Sequence, residues 1–235
     1  MISERRFSSA FTSFWNQALP RADAYLRRVN GVYTQYRGEI DSPSRVNRDR
    51  RSIVNELGFR LFKESWEQHD ITTKTIHNLS KDVQRYIAAI VRREDDVILS
   101  PLSAQEISES KELAKSLSLF FSRTKANSVA FWPEFPGCGI IQQCKGDIVY
   151  GDTLVEVKSG DRTFRITDLR QVLTYCCLNF ASKKYDLRFV TLLNPRRGVF
   201  YETPVDQLLM ACAGVSAIDF FTDMVAFVST EGNSK

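Results

Sequence analysis

Two acidic residues fall at positions from which their side chains could face each other. Asp147 stands four residues before the dipeptide Gly151-Asp152, and Glu156 stands four residues after it. This dipeptide is a suitable two-residue hairpin turn, because glycine adopts the positive φ that such turns require. With that turn Tyr150 pairs with Thr153, and counting outward places Asp147 opposite Glu156. Opposed residues of an antiparallel pair have Cβ atoms about 5 Å apart, so the two carboxylates would repel each other.

A divalent cation between the two carboxylates would remove this repulsion. Mg²⁺ prefers one or two carboxylates and keeps its other positions for water and phosphate oxygens. Lys158 lies two residues beyond Glu156, and therefore on the same face of the strand. Its amine could orient or deprotonate an attacking water and offset the charge of a scissile phosphate. The alternative is a solvent-facing strand on which the lysine neutralises the two acids.

The residues that follow the lysine favour a functional site. A helical pattern places Gln171 and Tyr175 one turn apart, on one face of the helix. That face could lie beside the hairpin and hold the water or the phosphate. Arg162, Arg165 and Arg170 are candidates for phosphate contacts; the competing interpretation is that they are solvated side chains of a loop and a helix start.

Taken in order, these segments resemble the PD-(D/E)XK nuclease superfamily, which has the restriction-endonuclease-like fold, and especially its RecB-type members. In that superfamily an aspartate on one strand is followed by Glu-x-Lys on the next strand, and then by a helix that carries glutamine and tyrosine. The resemblance covers residues 103–206, less than half of the chain.

The resemblance implies a role for each residue of the pattern. Asp147, Glu156 and the backbone carbonyl of Val157 would bind Mg²⁺ or Mn²⁺. Lys158 would be catalytic, and Gln171 would support the site. Tyr175 is a further candidate for that supporting role.

The superfamily often adds a glutamate from a helix that precedes the sheet. Three glutamates just upstream of the strands could supply it, namely Glu106, Glu109 and Glu112, and Glu56 is a fourth candidate. The sequence does not choose among them. Some RecB-type relatives carry a four-cysteine iron–sulfur cluster, and this chain lacks the cysteine spacing for one.

Composition favours an ordinary globular protein with free thiols. The chain has 235 residues, 43% of them apolar, and a net charge of +4, which fits a polyanion-binding protein without establishing one. Five cysteines without a C-x-x-C pair and only two histidines argue against a zinc site. No apolar run is long enough for a membrane span, and no signal-peptide core is visible. We expect a cytoplasmic protein that does not bind membranes.

The spacing of apolar residues predicts two parts. Residues 1–102 form a helical N-terminal region, which includes a helix that begins at Ser80. Residues 103–235 form the nuclease domain, and its first helix begins with a capping box of Ser103 and Glu106 and ends near Arg123. After it come extended segments, a helix capped by Thr167 and two more strands, with predicted ranges 129–132, 140–150, 153–158, 167–180, 187–193 and 199–201. This order predicts an α/β fold with a mixed central sheet flanked by helices.

These observations predict a Mg²⁺- or Mn²⁺-dependent nuclease that hydrolyses DNA, expected to be an endonuclease. By analogy, small nucleases of this type serve in bacterial restriction or phage defence. The chain has no Walker-type phosphate loop, so unwinding would need a helicase or ATPase partner. A homodimer is a further option.

One alternative is a nuclease-fold module that binds nucleic acid or a partner protein without cutting. Another is an accessory α/β protein whose acids and lysine are incidental.

Overall fold

The computed structural model describes residues 1–40, 46–92, 95–124 and 128–233. Its helices, in chain order, are α1 (Glu4–Ala10), α2 (Thr12–Ala18), α3 (Ala22–Val32), α4 (Arg51–Trp66), α5 (Thr73–Val91), α6 (Asp96–Leu99), α7 (Ala104–Arg123), α8 (Ile166–Ser182), α9 (Val205–Cys212) and α10 (Ala217–Asn233). Its strands are β1 (Thr34–Gln35), β2 (Val129–Phe131), β3 (Glu134–Phe135), β4 (Cys144–Lys145), β5 (Ile148–Tyr150), β6 (Thr153–Val157), β7 (Phe189–Asn194) and β8 (Val199–Pro204).

Six of these strands form one mixed sheet, in the order β1-β8-β7-β6-β5-β2. β6 and β7 are parallel, and α8 connects them, as a parallel pair requires a long crossover. The other neighbouring strands are antiparallel, and β3 pairs with β4 in a separate small sheet. The predicted α/β fold with a mixed central sheet flanked by helices is confirmed at this level.

Two apolar clusters cover the two faces of the sheet, because side chains of a strand alternate between its faces. In β6, Leu154 belongs to the first cluster, with side chains of α1–α3 and α8–α10. The next residue, Val155, belongs to the second cluster, with side chains of α4, α5 and α7. The predicted boundary between residues 102 and 103 runs through both clusters, because each takes side chains from both parts of the chain.

Several predicted boundaries are confirmed and others are wrong. α7 has the predicted capping box of Ser103 and Glu106 and ends at Arg123. α5 begins at Thr73, well before Ser80, because the Thr72 hydroxyl accepts the backbone N–H of Thr75 (3.1 Å). Thr167 does not cap α8. That helix begins at Ile166, and the carboxylate of Asp168 accepts the backbone N–H of Arg165 (2.8 Å).

The extended segments also differ from their predicted ranges. The predicted strand 140–150 is divided between β4 of the small sheet and β5 of the main sheet. Gly146 lies between these strands, and its backbone N–H donates to the Pro133 carbonyl (2.9 Å). The last strand continues to Pro204 and leads into α9 and α10, helices that the sequence pattern did not predict.

No single helix in the described part of the chain is long and apolar enough to cross a membrane. Two consecutive helical segments, Val205–Cys212 and Ala217–Glu231, would pass such a test together on length and composition, but they are bent by 73°.

Candidate active site

The β5–β6 hairpin has the predicted register. Tyr150 pairs with Thr153, and the antiparallel ladder continues to Ile148. Gly151 in the turn has a φ of +51°, a conformation that glycine adopts without a steric penalty. Asp147 directly precedes the ladder; its Oδ2 accepts the backbone N–H of Val157 (2.7 Å), and its charge acts on Glu156. The hairpin therefore brings both predicted acids to one place.

Glu156 is only 2% exposed, and its two oxygens have different surroundings. Oε1 accepts a hydrogen bond from Lys158 Nζ (2.6 Å), whereas Oε2 is buried and accepts no hydrogen bond from any described residue. Burial, together with the nearby charge of Asp147, raises the pKa of Glu156 to about 8. A buried carboxylate oxygen without a partner is costly, and a bound cation would supply the missing partner.

Lys158 is held between the hairpin and α8. Its ammonium group donates to Glu156 and also to Gln171 Oε1 (2.9 Å), and Gln171 Nε2 in turn donates to the Tyr175 hydroxyl (2.9 Å). Burial alone would lower the pKa of Lys158, but the charges of Glu156 and Asp147 outweigh it and raise that pKa. The face of α8 that carries Gln171 and Tyr175 thus lies beside the hairpin, as predicted.

The structure brings one of the four candidate glutamates near the two acids. Glu106 is ion-paired with Arg50, Glu109 with Arg196, and the half-exposed Glu112 faces Arg37. These three are engaged elsewhere. Glu56 is the exception, because its charge acts on Asp147.

Glu56 lies on α4 and acts electrostatically on Asp147. Burial is the main cause of the raised pKa of Asp147, and the charge of Glu56 raises it further, while Lys158 opposes both. Arg60 holds the Glu56 carboxylate through a hydrogen bond from Nε (2.8 Å). Glu56, Asp147 and Val157 line the same cavity.

This cavity, of about 430 Å³, opens at the carboxyl end of β6. Beside the hairpin, its walls come from α1, α4, α5 and the loop before α8. Lys158 and Arg162 line it as cations, and so does Arg5 of α1, whose charge also acts on Asp147 and Glu156. A larger cavity, of about 750 Å³ and lined partly by α8 and α10, contains none of the predicted site residues.

Sequence reasoning missed several residues that shape this cavity. Asp168 binds Arg162 through two hydrogen bonds, Nη1 to Oδ2 (2.6 Å) and Nη2 to Oδ1 (2.8 Å), and lies 3.7 Å from Lys158 Nζ. Asn194 Nδ2 donates to the Gly160 carbonyl (2.8 Å) in the loop between Lys158 and Arg162. Asp168 stands three residues after Arg165, the N-cap of α8, and this spacing could have been recognised in the sequence. Arg5 and Asn194 gave no such signal, because only the tertiary fold brings Arg5 to the cavity and Asn194 to this loop.

The three arginines proposed for phosphate contacts have different positions. Arg162 lines the cavity. Arg165 is exposed at the start of α8 and does not line it. Arg170 is buried, packs over the ring of Trp15 (5.8 Å) and donates to Asn16, so it is not available to a phosphate at this site.

The donor atoms fit a hard divalent cation. The carboxylates of Asp147, Glu156 and Glu56 offer oxygen ligands, as Mg²⁺ and Mn²⁺ prefer. Val157 lines the same cavity as Asp147 and Glu56. The unpartnered Glu156 Oε2 is the atom that most needs a cation. Asp147, Val157 and Lys158 thus line one cavity, and Glu156 and Gln171 both bond to Lys158 behind it; the roles of all five stay predictions.

No protein-family model matches this chain, and no curated protein matches it significantly.

Proposed function

We propose that this protein is a metal-dependent nuclease that hydrolyses phosphodiester bonds of DNA at the cavity lined by Asp147 and Lys158, beside the buried Glu156. One observation carries the proposal: the buried Glu156 Oε2 lacks a hydrogen-bond partner among the described residues, while the other oxygen of the same carboxylate holds Lys158. An incidental charged strand would leave both oxygens in solvent. A site prepared for a cation requires one free carboxylate oxygen in a sheltered place.

Asp147, Glu156 and the carbonyl of Val157 would hold the cation, with Glu56 as a further acid. A bound Mg²⁺ or Mn²⁺ would act as a Lewis acid on a phosphate oxygen and on the attacking water. In the reaction the water oxygen forms a bond to phosphorus, and one ester P–O bond breaks. The water loses a proton, and the departing oxygen gains one.

Lys158 would stabilise the charge that develops on the phosphate. Two of the three donor hydrogens of its ammonium group are engaged, by Glu156 and Gln171, and the third can reach a phosphate oxygen in the cavity. Gln171 fixes the direction of the amine, and Tyr175 fixes Gln171. Arg162, oriented by Asp168, provides a second cation for the phosphate.

The arrangement of the sheet supports a restriction-endonuclease-like fold of the RecB type. The antiparallel β5–β6 hairpin carries the acids, and the parallel crossover from β6 through α8 to β7 carries the supporting glutamine. A role in restriction or phage defence, an endonucleolytic mode and a helicase or ATPase partner stay predictions from the resemblance.

The test is incubation with covalently closed circular DNA, single- and double-stranded, and with RNA, in Mg²⁺, Mn²⁺ or chelator. We expect metal-dependent cleavage of closed DNA circles. Lys158→Ala should reduce the rate at least a hundredfold, as removal of a positioned catalytic group does. Lys145→Ala is the matched control, since Lys145 is an exposed lysine paired with Glu134.

Two outcomes would contradict the proposal. Nucleic-acid binding without cleavage in either metal would favour the non-cutting module. Parallel loss of activity and thermal stability in Lys158→Ala would make this lysine structural.

A further inference from the structure

One wall of the cavity is aromatic and partly exposed. Trp132, which directly follows β2, and Tyr86 of α5 both line the cavity. The guanidinium of Arg60 lies over both rings, 5.2 Å from the centre of Tyr86 and 5.9 Å from that of Trp132. We call Trp132, Tyr86 and Arg60 the aromatic wall. Tyr86 is 45% exposed and its neighbour Ile90 is 50% exposed, so the wall offers apolar surface to a ligand.

The backbone of Trp132 is held in a rare conformation. Its φ is +49°, in the left-handed region that a bulky side chain seldom adopts. The Trp132 N–H donates to the carbonyl of Asp147 (2.9 Å), and the ring packs against Phe59 with centroids 5.5 Å apart. Hydrogen bonding thus ties the position of the indole to the backbone of a predicted metal ligand.

Arg60 forms a second connection between the two rings and the acids of the site. Its Nε donates to Glu56 (2.8 Å), the glutamate whose charge acts on Asp147. The same guanidinium therefore contacts an acid of the site and the two rings of the wall. The two rings share one cavity with these acids, and Lys158, Arg162 and Arg5 supply positive charge around it.

We propose that the aromatic wall stacks an unpaired base whose phosphate lies at the acids, so that the substrate is single-stranded nucleic acid. This proposal rests on the proposed function. Aromatic rings and arginine planes hold unpaired bases by stacking, whereas a base in a duplex has both faces covered by its neighbours. An oligonucleotide fits both parts of the cavity: its phosphates match the cations, and its bases match the wall.

The test compares three probes by fluorescence anisotropy in Ca²⁺: a short oligothymidylate, an abasic oligomer with the same number of phosphates, and a closed dumbbell duplex without free ends. We expect the oligothymidylate to bind about tenfold more tightly than either other probe. Trp132→Ala should abolish that preference without changing the affinity for the abasic oligomer, and Trp132→Phe should keep it.

Tyr86→Ala is the second variant, because Tyr86 is exposed and its removal leaves the core intact. It should weaken oligothymidylate binding severalfold even if Trp132→Ala fails to fold. Tyr33→Ala is the matched control, since Tyr33 also packs under an arginine, Arg197 (5.3 Å), but does not line this cavity. It should change neither affinity.

The outcomes separate this proposal from the nuclease proposal. Equal affinity for the abasic oligomer and the oligothymidylate, or equally tight binding of the dumbbell, would overturn the aromatic wall as a stacking site even if DNA is cleaved. A base-dependent affinity that needs Trp132 or Tyr86, without cleavage in Mg²⁺ or Mn²⁺, would overturn the nuclease and leave the stacking site in place.

Discussion

At the scale of single residues, burial makes the ionised forms of the two hairpin acids unfavourable unless a cation lies between them. Asp147 and Glu156 each have a raised pKa, caused first by burial. Like charges opposed across a strand pair destabilise the folded state by up to about 1 kcal/mol. A cation that binds only the folded protein reverses this effect by mass action.

Asp147→Asn should separate a metal site from a charged strand. The asparagine oxygen can still accept the N–H of Val157, so the variant should melt in chelator at the same temperature as wild type or higher. In excess Mn²⁺, at roughly a hundred times its dissociation constant, wild type should gain on the order of 5 °C. The variant should gain less and should not cut DNA. Differential scanning calorimetry and calorimetric Mn²⁺ titration measure both effects.

The control for that experiment is a group of exposed donor atoms elsewhere. Glu64, Glu67 and His69 lie close enough together to offer a separate metal site; if the Mn²⁺ stabilisation comes from the Asp147 site, His69→Ala should leave it unchanged. If wild type and Asp147→Asn instead gave the same Mn²⁺ isotherm, Asp147 would not be a ligand.

Tyr175→Phe should show that Gln171 acts by positioning the lysine. The change removes the hydroxyl that accepts from Gln171 Nε2 and leaves the ring stacked on Phe135. We expect kcat to fall about tenfold, because misdirected catalytic groups lose rate, while KM and the melting temperature stay nearly constant. A rise in KM with unchanged kcat would assign Tyr175 to substrate binding. Steady-state kinetics on a fluorogenic oligonucleotide would distinguish the two.

At the scale of secondary-structure elements, the sequence predicted the features that are determined by residues close together in the chain. The hairpin register follows from the Gly151 turn, and the start of α7 follows from Ser103 and Glu106, three positions apart. Glu56 and Arg5 could not be assigned, because α4 and α1 reach the cavity through packing that no local pattern specifies. α9 and α10 were missed, and the last strand was predicted too short, for a related reason: a short apolar run fits a helix or a strand equally well until the sheet packs against it.

A buried ion pair fixes the loop after Lys158. Arg196, 3% exposed, pairs with Glu109 of α7, and its Nε donates to the Ser159 carbonyl (2.8 Å). Arg196→Ala should therefore cost about 3–5 kcal/mol by leaving a buried acid unpaired, which lowers the melting temperature by on the order of 10 °C. Arg197→Ala is the matched control and should cost about 1 kcal/mol, since its partner Glu39 is exposed. Similar melting temperatures for the two variants would contradict this account.

The start of α7 should give stability a pH dependence. Burial alone would raise the pKa of Glu106, but hydrogen bonds from Arg50 and from the backbone of Ser103 lower it. A lowered folded-state pKa means that this stability is fully present above the unfolded value, about 4.3, and is lost as pH falls through the folded value. Glu106→Gln keeps a capping side chain but should lose about 2 kcal/mol at neutral pH. In urea unfolding measured from pH 7 to pH 3, the free energy of unfolding of Glu106→Gln should fall less steeply with acid than that of wild type. Equal slopes would contradict the role assigned to Glu106.

At the scale of the whole molecule, the helical first part and the sheet share their cores. β1 pairs with β8 at one edge of the sheet. Phe7 and Trp15 are fully buried in the first cluster, and Ile53, Leu57 and Phe62 are fully buried in the second. The site depends on the same packing, since α1 brings Arg5 and α4 brings Glu56 to the cavity.

The fragment of residues 103–235 should therefore neither fold cooperatively nor cut DNA. Each large apolar side chain that residues 1–102 bury contributes about 1.5–3 kcal/mol to the free energy of unfolding. The five named above sum to roughly 10 kcal/mol, comparable with the whole stability of a typical domain. The fragment would also lack Glu56 beside Asp147. Circular dichroism during thermal and urea unfolding should show no cooperative transition, and Mn²⁺ should not restore one. A fragment that unfolds cooperatively and cleaves DNA would instead establish residues 103–235 as an independent nuclease domain, with the preceding helices as an accessory layer.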